Sequence, residues 1–450
     1  MKKRSNFSGK LGFVLAAAGS AVGLGNLWRF PYLAARYGGG IFLLVYLILA
    51  VTFGFSLMIA EISLGRKTGL SAIGAFKKLN QKYTFIGYLA SLVPIIILPY
   101  YSVIGGWVIK YFTAFISGQA SAAADDLYFG TFISKPVEPV IWLAVFILAT
   151  AVVVYNGVEK GIEKVSKTLM PLLVILTIGI AIYSVTLPGA GAGLIYYLKP
   201  DFHHFSMKTV VAAMGQLFYS MSLAMGIMIT YGSYMKKDVN LEKSVSQIEF
   251  FDTGIAFFAG MMIVPSVFVF NGGDGAAINA GPGLMFVTLP KVFQSMPMGT
   301  LIGALFFVLV LFAALTSSIS LMETIVSIVC DKTHWSRKMA TVIITIYTLA
   351  IALPSSLGFG IWSHITPMGM SFLDFFDFIS NSILMPIVAF LTCFFIGYVI
   401  KPTAISEEVK LNAPFRREKL FVVMIKYVAP ICIIIILVSS ILSALGLLVI

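Results

Sequence analysis

The sequence predicts an all-α polytopic membrane protein with eleven transmembrane helices. Of its 450 residues, 59% are hydrophobic and only 11% are charged, and the mean hydropathy is +0.96. A soluble chain needs about a quarter of its residues charged to cover its surface, so lipid must be the solvent here. Because the apolar stretches run to roughly 20 residues without two-residue alternation, they predict helices rather than the strands of a barrel.

Eleven apolar segments follow one another along the chain, each long enough to cross a bilayer. We predict spans, numbered 1 to 11 in chain order, at residues 11–36, 41–65, 84–116, 139–156, 165–187, 208–234, 244–270, 298–330, 337–356, 372–400 and 420–448. The first stretch is glycine-rich and contains Arg29 and Pro31, and it lacks a cleavage site typical of secretion. We therefore expect a retained first span rather than a signal peptide.

The loops between these spans alternate in their lysine and arginine content. The N-terminus and every second loop are rich in basic residues, whereas the loops on the other side hold only Lys135, Lys199 and Lys291. By the positive-inside rule, the N-terminus is cytoplasmic and the C-terminus lies outside a cell membrane. The net charge of +12 is therefore explained by topology, and it does not indicate a nucleic-acid partner.

Two spans contain clusters that disfavour a continuous helix. Residues 19–26 of span 1 include three glycines, and residues 220–226 of span 6 read SMSLAMG. A single glycine is explained by close helix packing, but each one inside a helix costs about 1 kcal/mol relative to alanine. Because the clusters fall in the first spans of two five-span halves, they predict the discontinuous helices of an inverted-repeat transporter.

The predicted organisation is accordingly one domain, residues 1–450. We place repeat one at about 11–187, repeat two at about 208–400 and an extra span at about 420–448. Unwound backbone at the depth of the membrane is tolerated only where it lines a cavity, so the two breaks indicate a binding site.

Broken helices suit the joint binding of a zwitterionic amino acid and a sodium ion. Half-helix N-termini offer N–H groups to a carboxylate, and freed carbonyls and hydroxyls are hard oxygen ligands for a cation. Asn26, Ser220, Ser222 and the hydroxyls of residues 316–318 supply such oxygens. For residues 316–318 the alternative, hydroxyls bonded to their own helix, stays open.

Ionisable residues inside apolar spans are costly and indicate functional sites. Five stand out: Arg29, Glu61, Asp252, Asp374 and Asp377. The four histidines lie in or near loops, and none has metal-ligand spacing with a carboxylate, so an intramembrane enzyme is not favoured. A channel would need a selectivity-filter motif, and none is visible.

Several long motifs then point to a known family. They are GSAVGLGNLWRFPYLAARYGGG from Gly19, EISLGR from Glu61, PYYSVIGGW from Pro99, GQLFYSMSLAMG from Gly215, ITYGSYMKKD from Ile229, AGPGLMFVTLP from Ala280 and ALTSSIS from Ala314. In this order they resemble the neurotransmitter:sodium symporter family, best its bacterial hydrophobic amino-acid transporters. The resemblance covers nearly the whole chain and implies a LeuT-type fold of two inverted five-span repeats.

The resemblance also implies two co-transported sodium ions and no other cofactor. The first sodium site would comprise Ala21, Asn26, Ser220 and Asp252. The second would comprise Gly19, Val22, Ala313, Thr316 and Ser317. The substrate would contact residues of spans 1, 3, 6 and 8, namely Ala21, Gly23, Leu24, Gly25, Ile97, Tyr101, Tyr219, Ser220, Ser222, Met225, Ser317 and Leu321.

Within that substrate site, the carboxylate would meet the amides of Leu24 and Gly25, the hydroxyl of Tyr101 and the first sodium ion. Gating residues are implied as well. They are Arg29 with Asp377 or Asp374 on the outer side, Arg4 with Asp331 near Tyr234 on the inner side, and Gly161 with Pro171 in a helix-unwinding motif of span 5.

Three departures from the family pattern refine the expected function. Asp252 stands where many members have asparagine, and a fixed carboxylate there predicts chloride-independent transport. Gly23 replaces the aspartate of monoamine transporters, which favours an amino acid over a monoamine. Ala224 and Met225 replace a glycine–aromatic pair, and the adaptable methionine favours a hydrophobic or aromatic side chain.

We therefore predict a symporter that couples sodium to the import of a hydrophobic or aromatic amino acid by alternating access. Two alternatives stay open. A proton-coupled transporter would use Asp252, which lies inside its span. A transporter-like sensor would share the binding site without substrate flux. The sequence leaves the oligomeric state open.

Overall fold

The computed structural model describes residues 6–270, 282–333, 335–444 and 447, and regular structure in those ranges is helical. Nine of the described helices are long and apolar enough to cross a membrane. The count rises to ten if two helices joined by a bend are taken as one span. These helices run Lys10–Ala21 with Gly25–Arg36 (the bent pair), Gly40–Thr68, Gln81–Ile116, Glu138–Tyr155, Val158–Val185, Leu241–Phe270, Gly299–Thr333, Arg337–Leu357, Phe372–Val399 and Glu418–Ser443.

Of the eleven predicted spans, span 6 is not among these ten described helices. It is divided into Met207–Ser220 and Ile227–Gly232, each too short to cross a bilayer alone. The all-helical membrane architecture is confirmed, while the number eleven stays a prediction. Arg4 and most of residues 445–448 lie outside the described residues.

Shorter helices occupy the loops. They run Ala72–Leu79, Ala120–Ala123, Asp126–Ser134, Ala190–Leu198, Phe202–His204, Leu284–Gln294, Pro367–Gly369 and Pro402–Val409.

Local sequence explains where several spans begin and end. Span 6 begins after Ser206, span 9 after Ser336 and span 10 after Ser371, and each serine hydroxyl accepts a backbone N–H from the first turn. Such N-caps satisfy donors that the helix itself leaves unpaired. Span 2 ends at Thr68 and is followed by Gly69, whose φ of 69° is the left-handed conformation that favours glycine.

Both predicted helix breaks are present. Span 1 stops at Ala21, passes through extended Val22 and resumes at Gly25 after a bend of 52°. Span 6 stops at Ser220 and resumes at Ile227, and its break contains Ser222 (φ 52°) and Ala224 (φ 60°). Left-handed conformations are unfavourable for residues with a side chain, so the surrounding structure must hold them in place.

The spans that carry the breaks pack inside the bundle. Span 8 packs along span 3, span 7 along span 5, and the first half of span 1 contacts spans 5, 7 and 8. Large apolar side chains are exposed on the outer spans, for example Ile175, Ile346 and Ile434. Such faces suit contact with lipid, whereas the interior holds the polar groups of the breaks.

Candidate functional site

A cavity with about 400 Å³ of empty space lies between the two helix breaks. It is lined by all twelve residues that the resemblance assigns to the substrate, together with Ser20 and Ile227. The structure therefore brings those twelve residues to one place, while their role in binding stays a prediction. Ser20 and Ile227 were missed, although Ser20 directly precedes the predicted Ala21 and Ile227 lies two positions after the predicted Met225.

Hydroxyl groups from spans 6 and 8 meet the carbonyls that the break in span 1 releases. Ser222 donates its hydroxyl to the carbonyl of Ser20 at 2.9 Å, and Ser317 donates to the same carbonyl at 3.2 Å. Because these carbonyls have no partner within a helix, they can serve a cation or an ammonium group. The cavity therefore has one wall of converging oxygen atoms.

Two glycines allow the backbone of span 1 to approach its neighbours closely. A Cβ atom on Gly23 would lie 2.7 Å from the Ser317 hydroxyl, and one on Gly25 would lie 2.7 Å from the Tyr219 ring. The hydroxyl of Tyr101, which is 5% exposed and lines the cavity, makes no hydrogen bond within 3.5 Å among the described residues, and the hydroxyl of Ser317 and the backbone of Leu24 lie beside it. A buried hydroxyl without a partner is available to a ligand.

The side-chain members of the predicted first sodium site form one buried network. Asn26 donates to the Asp252 carboxylate at 2.8 Å, and Ser220 donates to the same oxygen at 2.8 Å. Asn26 also accepts a hydrogen bond from the amide of Gly23 at 3.0 Å, so the network reaches the break in span 1. Tyr46, which the sequence analysis missed, lies 3.4 Å from the other Asp252 oxygen.

Residues of the predicted second sodium site meet where span 1 contacts span 8. A Cβ atom on Gly19 would lie 3.3 Å from the Thr316 side chain, and Ser317 donates to the carbonyl of Val22 at 3.4 Å. Thr316 donates to the carbonyl of Ala313 in its own helix at 3.1 Å. The alternative of hydroxyls bonded to their own helix therefore holds for Thr316 but not for Ser317, which reaches across to span 1.

Two further buried side chains hold the breaks. The carboxylate of Glu61 accepts the amide of strained Ala224 at 2.6 Å, and its second oxygen has no partner among the described residues. Gln216 donates to the carbonyl of Gly25 at 2.9 Å. Glu61 was predicted only as an ionisable residue inside a span, without a role, and Gln216 is distinguished in the sequence only by its place in a motif.

On the outer side, Arg29, Asp374 and Asp377 line a second cavity with about 1180 Å³ of empty space. Among the described ion pairs within 4.0 Å, none joins Arg29 to either aspartate. Arg29 instead donates to the carbonyl of Gly215 at 3.3 Å and lies 5.5 Å from the centre of the Tyr219 ring. Tyr219 lines both cavities, so it lies between this outer cavity and the cavity at the helix breaks.

The two aspartates differ in their surroundings. Asp377 accepts hydrogen bonds from Tyr100 at 3.1 Å and from Asn381 at 2.6 Å. Asp374 is exposed and accepts from the hydroxyl of Ser371, the residue that caps the start of span 10. Asp374 thus has a structural role at a helix end, which leaves Asp377 as the better candidate for the outer gate.

On the inner side, the predicted partner Arg4 lies outside the described residues. Asp331 accepts the amide of Ser71 at 2.9 Å and its hydroxyl at 2.6 Å. Tyr234 donates to Glu323 at 2.6 Å, and Glu323 forms an ion pair with Arg337. Neither Glu323 nor Arg337 was predicted, because nothing in their spacing shows that spans 8 and 9 meet span 6 here.

The predicted unwinding motif of span 5 is helical in this structure. Residues Val158–Glu163, which include Gly161, form a π-helical turn, and the helix Lys164–Val185 continues through Pro171. The carboxylate of Glu163 accepts the amide of Ser8 at 2.8 Å and also its hydroxyl. The N-terminal segment is therefore attached to the inner end of span 5, next to the motif.

Comparisons with known proteins agree with this architecture. The model of the sodium:neurotransmitter symporter family matches residues 4–125 and 126–447. An uncharacterized sodium-dependent transporter from Haemophilus influenzae is 34% identical, and the match covers 98% of each chain. The uncharacterized sodium-dependent transporter YhdH from Bacillus subtilis is also 34% identical over 98% of each chain.

A solved structure shows the same fold. The crystal structure of MhsT in complex with L-phenylalanine has a TM-score of 0.88 and 38% sequence identity. The match covers 97% of this chain and 100% of that one. The predicted resemblance and the LeuT-type fold with broken helices 1 and 6 are thereby confirmed. The chain belongs to the sodium:neurotransmitter symporter family, whose members are sodium-dependent membrane transporters rather than enzymes.

Proposed function

We propose that this transporter imports a hydrophobic or aromatic amino acid together with sodium, by alternating access and without chloride. The observation that carries the proposal is the cavity between the two helix breaks. Ile97, Met225 and Leu321 supply an apolar part of its wall, and Tyr101 supplies a buried hydroxyl without a partner. An apolar pocket with a few convergent polar groups is typical of a site for a small ligand.

The ends of the substrate would be recognised by different groups. Its carboxylate meets the amides of Leu24 and Gly25 and the hydroxyl of Tyr101, while its ammonium group meets carbonyls of Ala21, Tyr219 and Ser222. MhsT, which shares the fold, was crystallised with L-phenylalanine, and this supports an amino acid with a large apolar side chain. Met225 adapts to different apolar shapes, so several such amino acids are expected to compete.

Two sodium ions would be bound as co-transported ligands. The first would be held by Ala21, Asn26, Ser220 and Asp252, and the second by Gly19, Val22, Ala313, Thr316 and Ser317. Oxygen atoms of carbonyl, hydroxyl and carboxylate groups are the ligands that a hard cation prefers. Because the first ion also contacts the substrate carboxylate, binding of either one strengthens binding of the other.

Gating would rest on Arg29 with Asp377 on the outer side and on Arg4 with Asp331, near Tyr234, on the inner side. Gly161 and Pro171 would let the inner end of span 5 unwind when the inner side opens. We further propose one domain in the cell membrane, with repeats at about 11–187 and 208–400, a cytoplasmic N-terminus and an external C-terminus. Impermeant labelling of cysteines placed in successive loops tests that orientation.

The central experiment is uptake of a panel of radiolabelled amino acids into proteoliposomes, with an inward sodium gradient against a potassium control. Accumulation of a hydrophobic or aromatic amino acid only with sodium is the expected result. Saturable binding without accumulation would indicate a sensor instead. Accumulation driven by a proton gradient would indicate proton coupling, and attention would turn to Asp252.

Chloride independence is tested at Asp252. We expect wild-type uptake to be unchanged when gluconate replaces chloride, because the buried carboxylate already supplies the negative charge. Asp252→Asn removes that charge and one strong acceptor, and hydrogen bonds to charged groups contribute about 1.5–3 kcal/mol. Uptake by the variant should fall at least tenfold or become dependent on chloride. Loss of wild-type uptake in gluconate would contradict the proposal.

A further inference from the structure

A separate cavity with about 700 Å³ of empty space lies far along the chain from the residues of the transport site. It opens between the end of span 10, the loop helix Pro402–Val409 and the beginning of span 11. Its lining includes Tyr398, Lys401, Ser406 and Lys426, none of which belongs to the substrate, sodium or gating residues. The loop that it adjoins is one of those rich in lysine and arginine.

Lys426 is unusual because it lies inside an apolar span. It follows Glu418, the first residue of that helix, by eight residues, which corresponds to about 12 Å along the helix axis. Among the described residues, no carboxylate lies within 4.0 Å of its ammonium group. The ring centre of Tyr398 lies 5.9 Å from this ammonium group. A charge placed so deep is expensive unless something compensates it.

Lys401 brings a second positive charge to the same cavity. It precedes the helix Pro402–Val409 and has a φ of 66°, and no described carboxylate lies within 4.0 Å of its ammonium group. The amide of Ala404 bonds back to the carbonyl of Lys401 at 3.1 Å, whereas Thr403 lines the cavity in the first turn. The start of a helix favours a negative charge.

Ser406 provides an independent sign of a missing ligand. It is only 3% exposed and lines the cavity, and its hydroxyl makes no hydrogen bond within 3.5 Å among the described residues, while the Glu418 carboxylate beside it is paired with Lys410. Buried hydroxyl groups normally have partners, so one that faces a cavity points to a ligand with acceptor oxygens.

One acidic residue, Glu418, also lines the cavity. Its carboxylate is already paired with the ammonium group of Lys410 at 2.7 Å, so its charge is compensated from the loop. The two lysines of the cavity therefore keep a net positive charge for a ligand. Two ammonium groups, a buried hydroxyl and a helix start are the groups that commonly bind phosphate.

We propose that this cavity binds a phosphate group, supplied by the headgroup of an anionic phospholipid. The surface around it favours a lipid over free phosphate, because Phe394, Tyr398, Val423 and Tyr427 are all exposed on spans 10 and 11. Acyl chains can lie along these apolar side chains while the headgroup enters between the spans. Basic pockets between spans on the side of the lysine-rich loops are typical sites for such headgroups.

The test is native mass spectrometry of the full-length protein in detergent, titrated with phosphatidylglycerol or phosphatidylcholine. The double variant Lys401→Gln/Lys426→Gln removes both charges of the cavity. Arg416→Gln/Lys419→Gln is the matched control, since it removes two charges from exposed residues at the start of span 11 that do not line the cavity. Circular dichroism and gel filtration verify that both variants are folded.

We expect wild type and control to retain phosphatidylglycerol at least tenfold better than the cavity variant, with no difference for phosphatidylcholine. Equal retention by all three proteins, or equal loss in both variants, would overturn the proposal. Inorganic phosphate is added in a second arm. Thermal stabilisation by millimolar phosphate that equals the effect of phosphatidylglycerol and disappears in the cavity variant would overturn the lipid source and keep the phosphate site.

Discussion

The outer and inner ends of the molecule use the same kinds of residues but are in opposite states. On the outer side, Arg29 and Asp377 both line a large cavity and form no ion pair with each other. On the inner side, Glu323 is fully buried and is paired with Arg337 and Tyr234. The described structure is thus open at the end that holds Arg29 and Asp377 and closed at the end that holds Glu323.

The N-terminal segment contributes to the inner closure. Phe7 is 1% exposed and packs edge-on against the rings of Phe13, Tyr231 and Tyr234. Its amide donates to the carbonyl of Tyr234 at 3.2 Å. These contacts join the segment before span 1 to the second half of span 6, on the inner side of both breaks.

The difference between the two ends indicates how a conformation open at one end can be stable without bound substrate. A buried, paired charge is costly to separate, whereas charges that face a water-filled space interact weakly. We therefore infer that the end with the buried pair holds itself closed, and in the proposed mechanism sodium and substrate close the other end. Three sets of variants test this comparison, from the largest expected effect to the smallest.

Glu323→Ala should have the largest effect, because it removes a fully buried carboxylate that pairs with half-buried Arg337 and accepts the hydroxyl of Tyr234. Breaking a buried pair by removing one member costs about 3–5 kcal/mol, so the inner end should open. The measurement is maleimide labelling of Thr324→Cys, a fully buried position in span 8, in a chain whose three native cysteines are replaced by serine. We expect labelling to become at least tenfold faster.

The exposed Glu407→Ala serves as the control, since Glu407 lies on the loop helix and forms no described ion pair. If both variants label at the rate of the unmodified background, the inner network does not hold the inner end closed.

Gly12→Ala should have a smaller effect at the same end. An added Cβ atom at Gly12 would overlap the carboxylate of Glu163, which accepts hydrogen bonds from Ser8. Overpacking of this kind costs about 1–3 kcal/mol, so we expect a lower temperature of thermal unfolding. Gly9→Ala is the matched control, because a Cβ atom there meets nothing within 4 Å. Equal melting temperatures for both variants would show that the Ser8 attachment adds no stability.

Asp377→Asn tests the weaker outer end. It removes a charge that faces Arg29 across the cavity, and even partly exposed charges in direct contact contribute only about 0.2–1 kcal/mol. We therefore expect the half-saturating substrate concentration for uptake to rise roughly two- to fivefold, with little change in thermal stability.

Asp374→Asn is the comparison for this variant. It keeps an acceptor for the hydroxyl of Ser371, so uptake should stay within a factor of two of wild type. The reverse order of effects would assign the outer gate to Asp374 instead.

Much of the fold could be predicted from local pattern. The spans were recognisable because each must be apolar over the thickness of a bilayer, and the predicted range 372–400 agrees closely with the observed Phe372–Val399. The breaks in spans 1 and 6 were recognisable because glycines and small polar residues are unfavourable inside a helix. The substrate-site residues were predicted from the family motifs, and the structure brings all twelve of them to one cavity.

What local pattern could not show is which distant side chains meet. Tyr46 lies 206 positions before Asp252, and Glu323 pairs with Tyr234 across 89 positions. Residue types at such separations carry no spacing signal, because helix packing alone brings them together. The same holds for the cavity between spans 10 and 11, where Lys426 appears in the sequence as a lone charge in an apolar run.

The sequence by itself therefore determined the class of molecule, its helical spans and the place of its helix breaks. Each of these follows from interactions among neighbouring residues and from the polarity of the solvent. Only the tertiary structure decided that Ser317, rather than Thr316, reaches across to span 1, and that the end with Glu323 is closed while the end with Arg29 is open. Those outcomes depend on contacts between helices, whose geometry no single segment encodes.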